Sequence, residues 1–153
     1  MKNTIFVLLV LISACAQPTA QDTNLVKEMA CKGSAECFEA VVTRIVDGDT
    51  IDVEDELGEE RIRLALVDAP EKDTVDGEKA TAFVSNFCPI GSRVLIDQDD
   101  RQLYSGDRML AIVWCNKERL NEEIISEGYA NIYYEFCNTS EFGKERWAVK
   151  YGC

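Results

Sequence analysis

Three short segments rich in β-branched residues, Phe38 to Val46, Thr50 to Val53 and Arg61 to Val67, are separated by two turn signals, Asp47-Gly48 and Glu56-Leu57-Gly58. Apolar runs this short, punctuated in this way, fit an antiparallel meander and little else. Asp47-Gly48 reads most simply as a two-residue type I′ hairpin turn. Past Gly77 the period changes: Ala80, Phe83, Val84 and Phe87 have helical spacing, and Pro89 with Gly91 ends that helix. Arg93 to Ile96 and Met109 to Trp114 read as two further strands. Leu120, Ile124, Ile125 and Tyr129 predict a second helix closed by Gly128, and Ser140 to Tyr151, with Phe142, Trp147 and Val149, a third. Five strands with helices inserted late predict an α+β, mainly β, fold: a five-stranded barrel of OB type with three helices.

The first 30 residues break this pattern. Met1-Lys2, an apolar run from Ile5 to Ile12, and Ser13-Ala14 have the layout of an export signal over residues 1–14, too short to span a bilayer. Ile12-Ser13-Ala14-Cys15 is similar to a lipoprotein box, cleaved ahead of a cysteine that is then lipidated; an ordinary signal cleaved near Ala20 is the alternative. Residues 15–30 are polar and unpatterned, as a tether would be, which leaves 31–153 as one domain. The expectation is an exported protein, either secreted or held at the cell-surface membrane through Cys15, and acting as a monomer.

Setting Cys15 aside leaves Cys31, Cys37, Cys88, Cys115, Cys137 and Cys153, an even set for an oxidising compartment. Zinc is disfavoured, because no pair has Cys-x-x-Cys spacing and the chain has no histidine. Of the 15 possible pairings, Cys31 with Cys37 closes a short loop, and Cys88 with Cys115 joins a helix end to a strand end. Cys137 and Cys153 are then left over, and a straight helix between them would hold them about 18 Å apart or more. The net charge of −12, near −13 once Lys2 leaves with the signal, has the wrong sign for a nucleic-acid partner. Any polyanion would need a local cation to offset that field.

Without histidine, acid–base chemistry falls to carboxylates, lysines, tyrosines or metal-bound water. Asp49 places a second carboxylate where the strand after the turn begins. Arg63 stands among apolar neighbours and needs an anionic partner if it faces a half-buried surface. Asp68-Ala69-Pro70-Glu71 has the spacing of a helix-capping box, but Lys72 to Gly77 lacks the apolar spacing of a helix to cap. A strand-end carboxylate, a proline-stiffened turn and a second carboxylate make a rigid ligand mount instead. Arg108 opens a strand. Singly, these are turn, cap or surface residues; together, three carboxylates and two arginines can hold a divalent cation and a phosphodiester.

The chain resembles the staphylococcal-type thermonuclease family from roughly Val41 to Tyr134, and loosely over the last helix. The resemblance is carried by Ile45-Val46-Asp47-Gly48-Asp49-Thr50, Ile62-Arg63-Leu64-Ala65-Leu66-Val67-Asp68-Ala69-Pro70-Glu71, Gly106-Asp107-Arg108-Met109-Leu110-Ala111, and Leu120-Asn121-Glu122 with Gly128-Tyr129-Ala130. It implies an OB barrel and a calcium-dependent phosphodiesterase acting on DNA and RNA, leaving a 3′-phosphate and a 5′-hydroxyl. Asp49 and Asp68 match calcium ligands. Ala69 matches a position that contributes a backbone carbonyl, so it can stand in for the usual threonine. Glu71 matches the general base, and Arg63 and Arg108 the arginines that stabilise a five-coordinate phosphate. Tyr104 and Tyr134, with Tyr133, are candidates for stacking on a base or sugar.

Two departures from the family pattern bear on the site. Asp107 replaces a common glycine and is placed to neutralise or re-aim Arg108, and the Lys72 to Gly77 loop is short and acidic. Asn138-Thr139-Ser140 is a weak glycosylation motif. The alternative from another class is a catalytically silent OB module that binds nucleic acid or a protein.

Overall fold

The computed structural model describes residues 31–153. The proposed signal, Cys15 and the tether lie outside the described residues. Five strands close the barrel: β1 (Cys37–Ile45), β2 (Thr50–Glu54), β3 (Glu59–Leu64), β5 (Arg93–Gln98) and β7 (Arg108–Cys115). The β1–β2, β2–β3, β1–β5 and β5–β7 pairs are antiparallel, and a parallel β3–β7 ladder closes the ring. Alternation decides which side chains face in. Ile51, Val53, Ile62, Leu64, Ile96 and Val113 fill the interior at no more than 1% exposure, each contributing about 1.5–3 kcal/mol of burial. A bulge between Val42 and Arg44 in β1 flips the alternation, so Arg44 faces outward beside Asp52 although Val42 faces in.

Short pairs hang off the barrel: β4 (Val67–Asp68) with β9 (Asn131–Ile132), β6 (Tyr104–Ser105) with β7, and β8 (Glu118–Arg119) with β7. The helices are α1 (Val75–Phe87), α2 (Leu120–Ser126) and α3 (Arg146–Tyr151). Phe83 of α1 stacks on Phe87 and on Tyr129 at the end of α2, with centroids 5.7 and 4.9 Å apart. Among the described residues, no helix is long and apolar enough to cross a membrane.

Four local expectations need correcting. The third strand does not run unbroken to Val67: Leu66 turns into the left-handed region (φ 61°) while Ala65 N–H donates to the Ala111 carbonyl at 2.8 Å. This kink sends Val67 and Asp68 off the barrel to pair with Ile132 and Asn131. The Asp47-Gly48 turn is not type I′, because Gly48 lacks the positive φ that turn requires. Val46 and Asp47 N–H both donate to the Thr50 carbonyl around a wider turn. Gly48 is there for space: a Cβ would lie 2.6 Å from that of Ala80 and 2.8 Å from that of Ala69.

Helix α1 starts earlier than its apolar spacing indicates, because Thr74 caps it by accepting from Gly77 N–H at 3.0 Å. The helix predicted from Ser140 to Tyr151 is broken at Glu145 into a 3-10 turn, Glu141–Lys144, and the short α3, with a further 3-10 turn, Tyr134–Phe136, ahead of it. That folding back brings Cys137 and Cys153 into a disulfide with Cα atoms 5.3 Å apart. Disulfides also join Cys31 to Cys37 and Cys88 to Cys115, each with Cα atoms 5.9 Å apart.

Candidate active site

One cleft of about 320 Å³ is lined by Asp49, Arg63, Asp68, Ala69, Glu71 and Arg108. These residues come from the turn into β2, from β3, from the kinked segment after it, and from the start of β7.

Asp49 is the most enclosed. Its backbone carbonyl accepts from Leu64 N–H at 2.8 Å, tying the turn to β3. Its carboxylate accepts from the Thr50 hydroxyl at 3.0 Å and from Ala69 N–H at 3.1 Å, and pairs with Arg63 Nη1. Asp47 accepts from Asp49 N–H at 3.0 Å. Burial pushes the Asp49 carboxyl up to about 6, against the pull of Arg63 and with the push of Asp47. Arg63 Nη1 is enclosed, and although it touches Asp49 it lacks well-aligned hydrogen-bond geometry. The guanidinium therefore keeps donor capacity for another anion.

Strand register explains why the two arginines share a face. Arg63 pairs with Leu110 across the parallel ladder, and Arg108 lies two residues before Leu110. Ile62, Leu64, Met109 and Ala111 point into the core, so Arg63, Arg108 and Leu110 point out on adjacent strands. A strand spacing of about 4.8 Å and a two-residue rise of about 6.6 Å place the arginine Cα atoms about 8 Å apart. Arg108 is lightly held, with Nε donating to the Ser105 carbonyl at 3.4 Å. Among the described residues, Asp107 forms no ion pair with it. Asp107 instead reinforces Asp52, whose hydrogen bond is the main cause holding Arg61 above the usual arginine range.

Asp68 and Glu71 are exposed at the cleft. The capping-box alternative fails, since Thr74 caps α1 and Glu71 contributes its backbone carbonyl to the Thr74 N–H and hydroxyl, at 3.0 and 2.7 Å. Gly77 lets the helix press on this mount, as a Cβ there would stand 1.9 Å from the Glu71 carbonyl oxygen.

Tyr104 and Tyr134 are 51% and 68% exposed and lie outside the cleft lining, whereas Tyr133 and Phe136 line it, edge to face at 4.6 Å. Asp47, Asp99, Gln102 and Ser140 also line it and were missed as site residues. Asp99 is buried with Oδ2 unpartnered, and nothing in Gln98-Asp99-Asp100 distinguishes it from a surface loop.

The side-chain acceptors lining the cleft are oxygens, among them the Asp49, Asp68 and Glu71 carboxylates with Gln102, Ser105 and Ser140, and suit a hard cation better than zinc. Among the described residues no trio of acidic side chains forms a closed cage. Two carboxylates with a carbonyl leave the remaining coordination positions to water and a phosphate oxygen. A cation there would also reverse the upward pressure on Asp49. On these grounds the residues fit calcium.

A family model described as staphylococcal nuclease homologue matches residues 61–148. Protein ParB of Escherichia coli is 36% identical over 60% of this chain and 55% of its own length. Endonuclease YhcR of Bacillus subtilis is 31% identical over 74% of this chain and 10% of its own. The thermonuclease of Staphylococcus hyicus is 32% identical over 58% of this chain and 56% of its own. The chain thus spans about half the length of two of these relatives and a tenth of the third.

Proposed function

Because the chain belongs to the staphylococcal nuclease homologue family, we propose that it hydrolyses phosphodiester bonds of DNA and RNA in the 320 Å³ cleft. The observation that carries this reading is the convergence of Asp49, Arg63, Asp68, Ala69, Glu71 and Arg108, from four separated segments, on one concave surface.

In this reading Arg63 and Arg108 grip the phosphate from one face with planar, bidentate-capable donors. Their contacts strengthen as charge accumulates on the five-coordinate phosphorus, and removing one costs about 3–4 kcal/mol of transition-state stabilisation. Glu71, exposed on its proline-stiffened mount, takes the proton of the attacking water. The new P–O bond forms as the bond to the 5′-oxygen breaks, and that oxygen takes a proton from solvent, leaving a 3′-phosphate and a 5′-hydroxyl. Asp49, Asp68 and the Ala69 carbonyl would hold calcium, which when bound supplies positive charge to a phosphate oxygen. Arg63 holds Asp49 in its absence and exchanges that partner for the phosphate.

The proposal extends to location. Residues 1–14 direct export, Cys15 is lipidated, 15–30 tether the monomeric domain, and three disulfides suit the oxidising compartment. Retention of membrane association by Cys15→Ser would remove the anchor from this reading.

The test is cleavage of single-stranded DNA and RNA by the oxidised protein with calcium, with chelator, and in Glu71→Gln and Arg63→Ala. Loss of about a hundredfold or more in each perturbed case is expected. Calcium-independent binding with no cleavage above the variants would overturn hydrolysis and leave a silent binding module.

A further inference from the structure

Away from the cleft, cations gather at one place. A shallow groove of about 910 Å³ is lined by Lys32, Arg119, Lys144, Arg146 and Lys150, opposed by only two carboxylates, in a chain of net charge −12. Its floor is rigid. Glu145 pairs with Lys32, with Arg119 Nη2 at 3.1 Å, and with the Trp147 indole N–H at 2.8 Å. The Arg119 guanidinium lies 4.7 Å from the Trp114 ring and 5.3 Å from that of Trp147, with Glu122 at 3.7 Å. Glu145 is thus committed to the floor, whereas Glu122 and the neighbouring Glu123 also act on Lys150, and Arg119 Nε is enclosed without an acceptor. On the rim, Lys144 and Arg146 have no ion-pair partner among the described residues, and Lys150 donates only to the Tyr151 hydroxyl at 2.7 Å.

A single turn joins this groove to the cleft. Ser140 lines the cleft and Lys144 the groove, and the 3-10 turn between them, rising about 2 Å per residue, spans about 8 Å. The carboxylates along that path face backbone donors. Asp100 accepts from Ser34 and Ala35 N–H, Glu141 from Asp100 N–H, and Asp99 from Arg101, Gln102 and Glu141 N–H.

We propose that the groove binds the phosphate backbone of a nucleic-acid strand beyond the bond being cleaved, an inference that rests on the nuclease reading of the cleft. A polymer that leaves the cleft past Ser140 has one 3-10 turn to cross before Lys144, and the three rim cations release counterions as phosphates replace them. The groove thereby supplies attraction that the acidic chain otherwise lacks. Its contribution is confined to substrates long enough to cross the turn.

The experiment uses the full chain and the triple variant Lys144→Gln/Arg146→Gln/Lys150→Gln. Anisotropy of a labelled single-stranded oligonucleotide is followed against salt in chelator. The slope of log K against log salt should fall by about 2, since each single-strand phosphate contact contributes about 0.7. With calcium, kcat/KM on long DNA should drop about tenfold through KM, while cleavage of a dinucleotide-sized chromogenic phosphodiester is unchanged. An unchanged slope overturns the proposal, as does loss of binding to phosphatidylserine vesicles with oligonucleotide binding intact. If the wild type cleaves neither substrate, the nuclease reading fails while the slope still decides the groove. Should the triple variant fold poorly, Arg146→Gln alone should lower the slope by about 0.7.

Discussion

Asp97 should make this fold less stable as pH rises through neutrality. It pairs with Cys37 across the β1–β5 ladder, is 1% exposed, and accepts from Lys32 N–H at 3.2 Å to each oxygen. Burial, with added repulsion from Glu141, Glu145 and Asp100, pushes its carboxyl from 3.8 up to about 7. In the unfolded chain the group ionises near its ordinary value, so between those two values the folded state holds a proton the unfolded state has lost. Its contribution is most favourable below 3.8 and is lost progressively until the folded group ionises near 7. The gap of about 3 pH units corresponds to about 4 kcal/mol at 1.36 kcal/mol each. Asp97→Asn keeps the acceptor and removes the ionisation. Measured by urea unfolding of the oxidised protein, the variant's advantage should grow by about 3 kcal/mol from near pH 5 to above pH 7. Taking the difference between variant and wild type cancels the opposite trend from Asp52, whose hydrogen bond to Arg61 holds it low. Parallel pH profiles for the two proteins would refute the reasoning.

Asn121→Ala should cost about 3–5 kcal/mol in the same assay, because its buried amide accepts from Val113 N–H at 2.9 Å and donates to the Ala65 and Ala111 carbonyls at 3.0 and 3.1 Å. Gly77→Ala should lower cleavage at least about tenfold, beyond a stability loss of about 1–3 kcal/mol, by displacing the Glu71 mount; unchanged kcat would show that the mount tolerates the shift. Replacing both Cys137 and Cys153 by serine should cost about 3 kcal/mol for a loop of 16 residues, read as a lower urea midpoint without loss of the barrel's circular dichroism.

Local signals and tertiary contacts divided the work visibly. The barrel strands, the helix over Ala80 to Phe87 and the closing glycine after α2 were legible because each is encoded in alternation, helical period or a turn residue within a few positions. The site residues were legible as types, and only their joint order and family resemblance raised them above turn and surface residues. Tyr133 was separable from Tyr104 and Tyr134 only through which face of a non-repetitive segment turns inward.

What the sequence determined by itself was therefore the five barrel strands and the first two helices, the even set of cysteines, and the residue types available in place of histidine. Tertiary structure alone decided that β3 and β7 lie parallel so that Arg63 and Arg108 share a face, and that Leu66 kinks Asp68 back over the cleft. It also decided that the chain after Ser140 folds back on Cys137 rather than running straight, and that Lys32 joins Lys144, Arg146 and Lys150 at one groove. The reason is physical: periodicity and turn chemistry act between near neighbours, whereas register, kinks and charge clustering are set by contacts between segments far apart in the chain.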